Sequence, residues 1–379
     1  MTRRIILALV IVAILLPLPS CRADTVTVVE TDGFRIGLHQ PQVDFPDSIT
    51  FRVEAEGQAD VAAITLCYTV DKLNAIPVTS IAPAEFEETR QARATWYWDM
   101  RKTGGLPPGT RLTYWWTMED VEGNKAETTP AVVAFDDQRY SWRSLVSGEV
   151  SLYWYQGSDA FAGQLMDAAQ AALARLADDI GAQPQTGTSI YIYAGFDDLR
   201  AAMIYPQEWT GGVAFTDYGT TAIGISPDNV SWGTGALAHE LAHLVVHQFI
   251  FSGYGIALPT WLDEGLAMYA QGNLSREMRD ALEYAVETHQ LFTVRSLCSS
   301  FPADARGARL AYAQSYSLVE FLLQQWPEGE QKMLELLIAV RDGHGYVEAL
   351  DIAYSLDMDE LDRQWQEYVY SAEVAASLV

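Results

Sequence analysis

The stretch Ala238-His239-Glu240-Leu241-Ala242-His243-Leu244-Val245-Val246-His247 decides how this chain is read. Neither proline nor glycine occurs from Ala236 to Ser252, so nothing interrupts a helix there. On that helix His239 and His243 stand one turn apart on one face, where two imidazoles can hold a single zinc ion. Glu240 lies about 100° round the axis, beside the metal, where its carboxylate can take a proton from water. His247 shares the histidine face, but a further turn carries it about 6 Å along the axis. It therefore offers at most a supporting contact.

A second segment completes a donor set. It reads Pro259-Thr260-Trp261-Leu262-Asp263-Glu264-Gly265-Leu266-Ala267, with Glu264 placed 21 residues after His243. Pro259 suits the first turn of a helix, and a helix starting there brings Glu264 to the metal as third ligand. Two histidines and a glutamate leave one tetrahedral position open, as catalytic zinc requires. Asp263 adjoins Glu264 but is expected to point elsewhere on the helix. Further on, Ala311-Tyr312-Ala313-Gln314-Ser315-Tyr316-Ser317-Leu318-Val319 opens an apolar helix.

The two motifs together resemble those of the gluzincin zinc peptidases, a group that includes thermolysin-like enzymes and zinc aminopeptidases. The W-L-x-E-G-x-A string around Glu264 is similar to the aminopeptidase version. The compact form, over roughly residues 150–370, most resembles the peptidase MA-like domains of bacterial exported proteins. The resemblance implies a thermolysin-like α+β catalytic domain and one zinc ion on His239, His243 and Glu264. It also implies Glu240 as catalytic base and a tyrosine that steadies the oxyanion at the start of the later helix. Tyr312 matches that place best, with Tyr316 the alternative one turn on. The metzincin pattern would need glycine and histidine where Val246 and Phe249 stand, which excludes that group.

The expected reaction is hydrolysis of peptide bonds in a peptide or protein. Zinc aminopeptidases carry a G-x-M-E-N segment whose glutamate binds the free amine of the substrate. The nearest equivalent here, Gly211-Gly212-Val213-Ala214-Phe215-Thr216, has no acid at the matching place, and Asp217 reads as a turn residue. An endopeptidase is therefore expected, with an aminopeptidase of the same superfamily as the alternative. A non-catalytic lipoprotein module for binding or adhesion is the other alternative, and the intact Glu240 argues against it.

Outward from the site, residues 25–135 alternate with period two. Ile49, Phe51 and Val53 form one such run, Ile64 to Val70 a second, Leu112 to Met118 a third and Ala131 to Phe135 another. This spacing predicts an antiparallel β-sandwich of immunoglobulin or fibronectin type III style over residues 21–138. From Phe161 the period becomes helical. Buried-type strands are expected at Ser189–Ala194 and Ala222–Ser226, and helices dominate after Thr234. The chain thus reads as multidomain, with an α+β peptidase domain over residues 139–379 whose C-terminal half is helical.

At the N-terminus, Arg3 and Arg4 precede an apolar run of twelve residues, Ile5 to Leu16. That is the length of a signal-peptide core and too short to span a bilayer. A signal peptide is expected over residues 1–20. Leu18-Pro19-Ser20-Cys21 resembles a lipoprotein box that would acylate Cys21, tether the chain to the membrane and place it outside the cytoplasm. Cleavage after Ala23 and plain secretion are the alternative. The net charge of −26 excludes a nucleic-acid surface, because no dense basic run is present. Cys67 and Cys298 fall in different predicted domains, so no disulfide is expected.

Overall fold

The structure, a computed structural model, describes residues 26–73, 76–206, 210–252, 254–272 and 274–371. The expected signal segment and Cys21 lie outside them. The N-terminal strands are β1 (Val26–Thr31), β2 (Phe34–His39), β3 (Gln42–Asp44), β4 (Ser48–Glu56) and β5 (Val61–Val70). They continue with β6 (Ser80–Pro83), β7 (Gln91–Asp99), β8 (Thr110–Asp120), β9 (Lys125–Glu127) and β10 (Ala131–Phe135).

These strands form two antiparallel sheets. One runs β1-β2-β4-β3 with β7 also on β4, and the other β10-β8-β5-β6 with β9 also on β8. The expected alternation is realised side chain by side chain. Ile49, Phe51 and Val53 of β4 are buried with Ile64 and Leu66 of β5 and Leu112 and Trp116 of β8 in one core. The turn at Glu122-Gly123-Asn124 closes on Asp120, whose carboxylate accepts from the backbone N–H of Glu122 and Asn124 and from the Asn124 amide.

A third sheet follows. Its strands are β11 (Arg143–Ser147), β12 (Val150–Trp154), β13 (Thr188–Tyr193), β14 (Gly212–Phe215) and β15 (Thr220–Gly224), in the order β11-β12-β13-β15-β14. β12, β13 and β15 are parallel, while β11 and β14 pair antiparallel at the two edges. The helices are α1 (Asp159–Ile180), α2 (Phe196–Arg200), α3 (Val230–Ile250), α4 (Thr260–Gln271) and α5 (Arg276–Glu287). After them come α6 (Ala305–Gln324), α7 (Gly329–Arg341), α8 (Tyr346–Tyr354) and α9 (Met358–Tyr370).

Strand geometry sends successive side chains to opposite faces of this sheet. Ile190 and Ile192 of β13 and Ile223 of β15 pack with α1, α3 and α4. Tyr191, Tyr193 and Ala222, one residue out of phase, join the core of the N-terminal sheets instead. The β-rich region therefore packs directly on the third sheet. Asp137, at the junction, is buried and accepts from Arg139 at 2.8 and 2.7 Å and from the Tyr193 hydroxyl at 3.0 Å. On the far edge, Lys72 pairs with Asp217 at 2.9 Å and the Leu73 N–H donates to the Asp217 carbonyl. Cys67 and Cys298 are free thiols.

One helix boundary differs from expectation. The Asp304 carboxylate accepts from the Gly307 N–H and starts α6 at Ala305, so Tyr312 stands two turns inside the helix and not at its start.

Candidate metal centre

α3 runs from Val230 to Ile250 and buries Leu237, Ala238, Leu241, Ala242, Leu244, Val245 and Val246. Burial of those residues turns His239, Glu240 and His243 toward α4 and β14. Leu262, Leu266 and Trp261 are buried on α4, which leaves Asp263 and Glu264 facing α3. Gly265 sets the spacing behind them. A Cβ there would lie 2.5 Å from the Ser315 carbonyl oxygen and 2.7 Å from Val319 Cγ2. Only glycine lets α4 lie this close to α6, the helix that carries Tyr312.

The three expected ligands converge. His239 Nε2 and His243 Nε2 are 3.3 Å apart, and Glu264 Oε2 lies 3.3 Å from the first and 3.5 Å from the second. A tetrahedral ion with bonds of about 2.0–2.1 Å holds its ligands about 3.3–3.4 Å from one another. The three atoms thus already outline one face of such a tetrahedron. Glu264 Oε2 is also buried without a hydrogen-bond partner among the described residues. That is costly for a carboxylate oxygen unless a cation takes it up. The donor set fits zinc.

Asp263 corrects an expectation. It does not point away from the site, because its Oδ1 lies 3.0 Å from His243 Nδ1. The crossing of α4 over α3 brings both members of the Asp263-Glu264 pair to His243, one to each ring nitrogen. A carboxylate on Nδ1 fixes that proton and turns Nε2 toward the metal. His247 reaches the same carboxylate, with Nε2 3.1 Å from each Asp263 oxygen. His243, His247 and Asp263 also lie close enough to hold an ion of their own. With the Nδ1 proton of His243 given to Asp263, however, the three act as a hydrogen-bonded support for the first group. Replacing His247 with Ala is expected to weaken zinc binding roughly tenfold, measured by competition with a chromophoric chelator; an unaltered affinity removes His247 from the support.

The electrostatics follow from burial and these pairings. Burial raises the Glu240 carboxyl above its ordinary range, against the pull of His239 and His243. Burial also works against ionised Glu264, but the His239 and His243 imidazoles that face it at 3.3 and 3.5 Å outweigh it and hold the carboxyl at about 2. Asp263 is likewise lowered, its burial outweighed by hydrogen bonds from His243 and His247. His243 is raised despite its burial, because both carboxylates face it.

The two tyrosine candidates separate cleanly. The Tyr312 ring lies 6.4 Å from the His239 ring and packs edge-on against Phe301. Burial, followed by Glu264 and Glu240, pushes its phenol up, so it stays protonated. Tyr316 turns the other way, with its hydroxyl 3.3 Å from Glu320 Oε1 and its ring beside Tyr269.

Two features were not foreseen in the sequence. A Cβ on Gly212 would meet Glu240 Oε1 at 2.7 Å, Cγ at 2.9 Å and Cδ at 3.0 Å, so β14 seats the carboxylate of Glu240. The second is the contact of Gly211 with the exposed rings of Phe196 and Trp232. A glycine pair beside a metal-binding helix was the available signal, but it specifies no partner.

The chain belongs to the Peptidase MA superfamily, which matches residues 168–371. That span contains His239, Glu240, His243, Glu264 and Tyr312. No curated protein matches the chain. Among solved structures, aminopeptidase A of Legionella pneumophila in complex with aspartic acid is similar over 90% of this chain, at 11% identity and a TM-score of 0.39. This chain spans 50% of that protein's length. The bromine derivative of BhCBM56 is similar over 30% of this chain and 99% of its own, at 11% identity and a TM-score of 0.19. Both likenesses are too distant to bear on activity.

Proposed function

We propose that this protein is a zinc endopeptidase acting outside the cytoplasm. The observation that carries the reading is the triangle of His239 Nε2, His243 Nε2 and Glu264 Oε2, with Glu240 seated beside it on an edge strand. Zinc held there would supply Lewis acidity to the scissile carbonyl and acidify the attacking water. Glu240 takes the proton of that water and passes it to the departing amine. Its raised proton affinity suits both halves of that task. Tyr312 donates its phenolic hydrogen to the carbonyl oxygen as negative charge develops. Asp263, braced by His247, keeps the His243 ring in place.

β14 supplies the substrate track. The Gly224 N–H donates to the Gly211 carbonyl, and with the register of β14 on β15 this makes Gly211/Gly224, Val213/Ala222 and Phe215/Thr220 the hydrogen-bonded pairs. The N–H and C=O groups of Gly212 and Ala214 therefore point to the free edge, where an extended peptide can add as a further strand. Among the described residues of β14 no acid faces that edge. Asp217, which follows it, is engaged by Lys72. An ammonium desolvated there without a partner costs several kcal/mol, which favours an internal stretch of chain over a free N-terminus.

The test compares a peptide with a free N-terminus and its N-acetylated form. Internal cleavage of both is expected; stepwise removal of single residues from the free form alone would make the enzyme an aminopeptidase. Replacing Tyr312 with Phe should lower kcat by roughly 10²-fold with zinc retained, while Tyr316→Phe should leave kcat near wild type; steady-state rates of the two variants decide between them. Arg3, Arg4, the apolar run and Cys21 support export with a lipid on Cys21. Mass spectrometry of the mature N-terminus tests that: an unmodified peptide beginning at Asp24 would mean plain secretion.

A further inference from the structure

Phe196 and Trp232 are large, adjacent and exposed, at 43% and 41% of their surface, with ring centroids 5.1 Å apart and planes at 86°. Both rings lie on glycine. A Cβ on Gly211 would meet Trp232 Cη2 at 3.3 Å and Phe196 Cε1 at 3.4 Å, and one on Gly224 would meet Phe196 Cδ1 at 3.0 Å. The next residue after Gly211 is Gly212, the seat of Glu240. The aromatic pair thus begins where the contact with the base ends. Trp232 also belongs to α3, seven residues before His239. Seven residues make nearly two full turns, so the two side chains share a face about 10.5 Å apart along the axis.

We infer that Phe196 and Trp232 form an apolar subsite that takes a bulky aliphatic or aromatic side chain of the peptide substrate. This rests on the peptidase reading above. An extended peptide rises about 3.3 Å per residue, so the 10.5 Å from His239 to Trp232 spans about three residues. The side chain seated there lies within three residues of the scissile bond. It lies on one side of that bond only, because the pair sits on the N-terminal side of His239 along α3. Two ring surfaces held in water gain by covering with apolar surface. Edge-to-face packing leaves ring faces open to a third ring or a branched aliphatic chain.

The experiment uses N-acetylated, C-amidated decapeptides in which each position in turn is Phe, Leu or Ala. They are given to the zinc-loaded wild type and to the Phe196→Ala and Trp232→Ala variants. Wild type is expected to prefer Phe or Leu at one position within three residues of the cleaved bond. In each variant the ratio of kcat/KM for Phe over Ala at that position should fall roughly tenfold, through KM more than kcat, with zinc content unchanged. A second arm measures binding of the same peptides to zinc-loaded Glu240→Gln by tryptophan fluorescence, where the Phe peptide should bind more tightly than the Ala peptide. Cleavage with no such preference, or a preference that survives both substitutions, overturns the subsite and leaves the peptidase reading standing. No cleavage by wild type, with Phe-preferring binding that is lost on Trp232→Ala in the Glu240→Gln background, overturns the peptidase reading and keeps the subsite. Absence of both cleavage and preferential binding overturns both.

Discussion

Glu240→Gln is expected to lower peptide hydrolysis by roughly 10²–10⁴-fold while zinc remains at one ion per chain. The amide matches the carboxylate in size but cannot accept the proton of the attacking water. It also takes no ligand away, since the converging atoms belong to His239, His243 and Glu264. Gly212→Ala is the companion change. It keeps the carboxylate but presses a methyl group to within 2.7–3.0 Å of its side-chain atoms. Glu240 must then shift, and displacements near 1 Å can cost about 10²-fold in rate. Its loss should therefore fall between wild type and Glu240→Gln, again with zinc bound. Steady-state kinetics and elemental analysis on the same preparations check both statements. Near-normal turnover by Glu240→Gln would end the proposed mechanism.

Glu264→Ala is expected to remove zinc, and activity with it. The carboxylate is the anionic member of the donor set, and without it only two imidazole nitrogens, 3.3 Å apart, remain. Structural and catalytic zinc sites need three or four protein ligands at fixed positions, and two histidines on one helix hold the ion weakly. After dialysis against a mild chelator, zinc per chain should be near one for wild type and near zero for this variant. Activity should return in part only at excess zinc. Unchanged zinc content in Glu264→Ala would take Glu264 out of the ligand set, and a retained ion would then have to be sought on Asp263.

The convergence of His239 and His243 was legible because its information is local. Residues 239, 240 and 243 on an uninterrupted helix have fixed relative directions, whatever the rest of the chain does. The glutamate on the second helix needed only a recognisable string around Glu264. The contact of Asp263 with His243 was not legible, for the opposite reason. Its direction on α4 is known, but what it meets depends on how α4 crosses α3, and no spacing within one helix encodes that. The sequence ranked Tyr312 ahead of Tyr316 but could not decide between them, since one turn apart they share a face. Gly265 against Ser315 sets the contact of α4 with α6 and turns Tyr312 toward His239.

The same division holds for the sheets. Alternation along Ile49, Phe51 and Val53 or Ile64 to Val70 declares strands with one buried side, because a strand repeats every two residues. β13, with Ile190 to Tyr193 buried throughout, declares only that both faces are covered. By itself the sequence determined that His239 and His243 share one helix face with Glu240 beside them, and that a β-rich region precedes a helical one, since those follow from the periodicity of single elements; Glu264 was reached only through the resemblance of the string around it. Tertiary structure alone decided that the N-terminal sheets cover the tyrosine face of β13. It likewise decided that Asp263 and His247 brace His243, and that Gly211 and Gly212 carry an aromatic pair and the base on consecutive residues. Those are contacts between elements distant in the chain, fixed by how their faces pack and by where glycine leaves room for a neighbour.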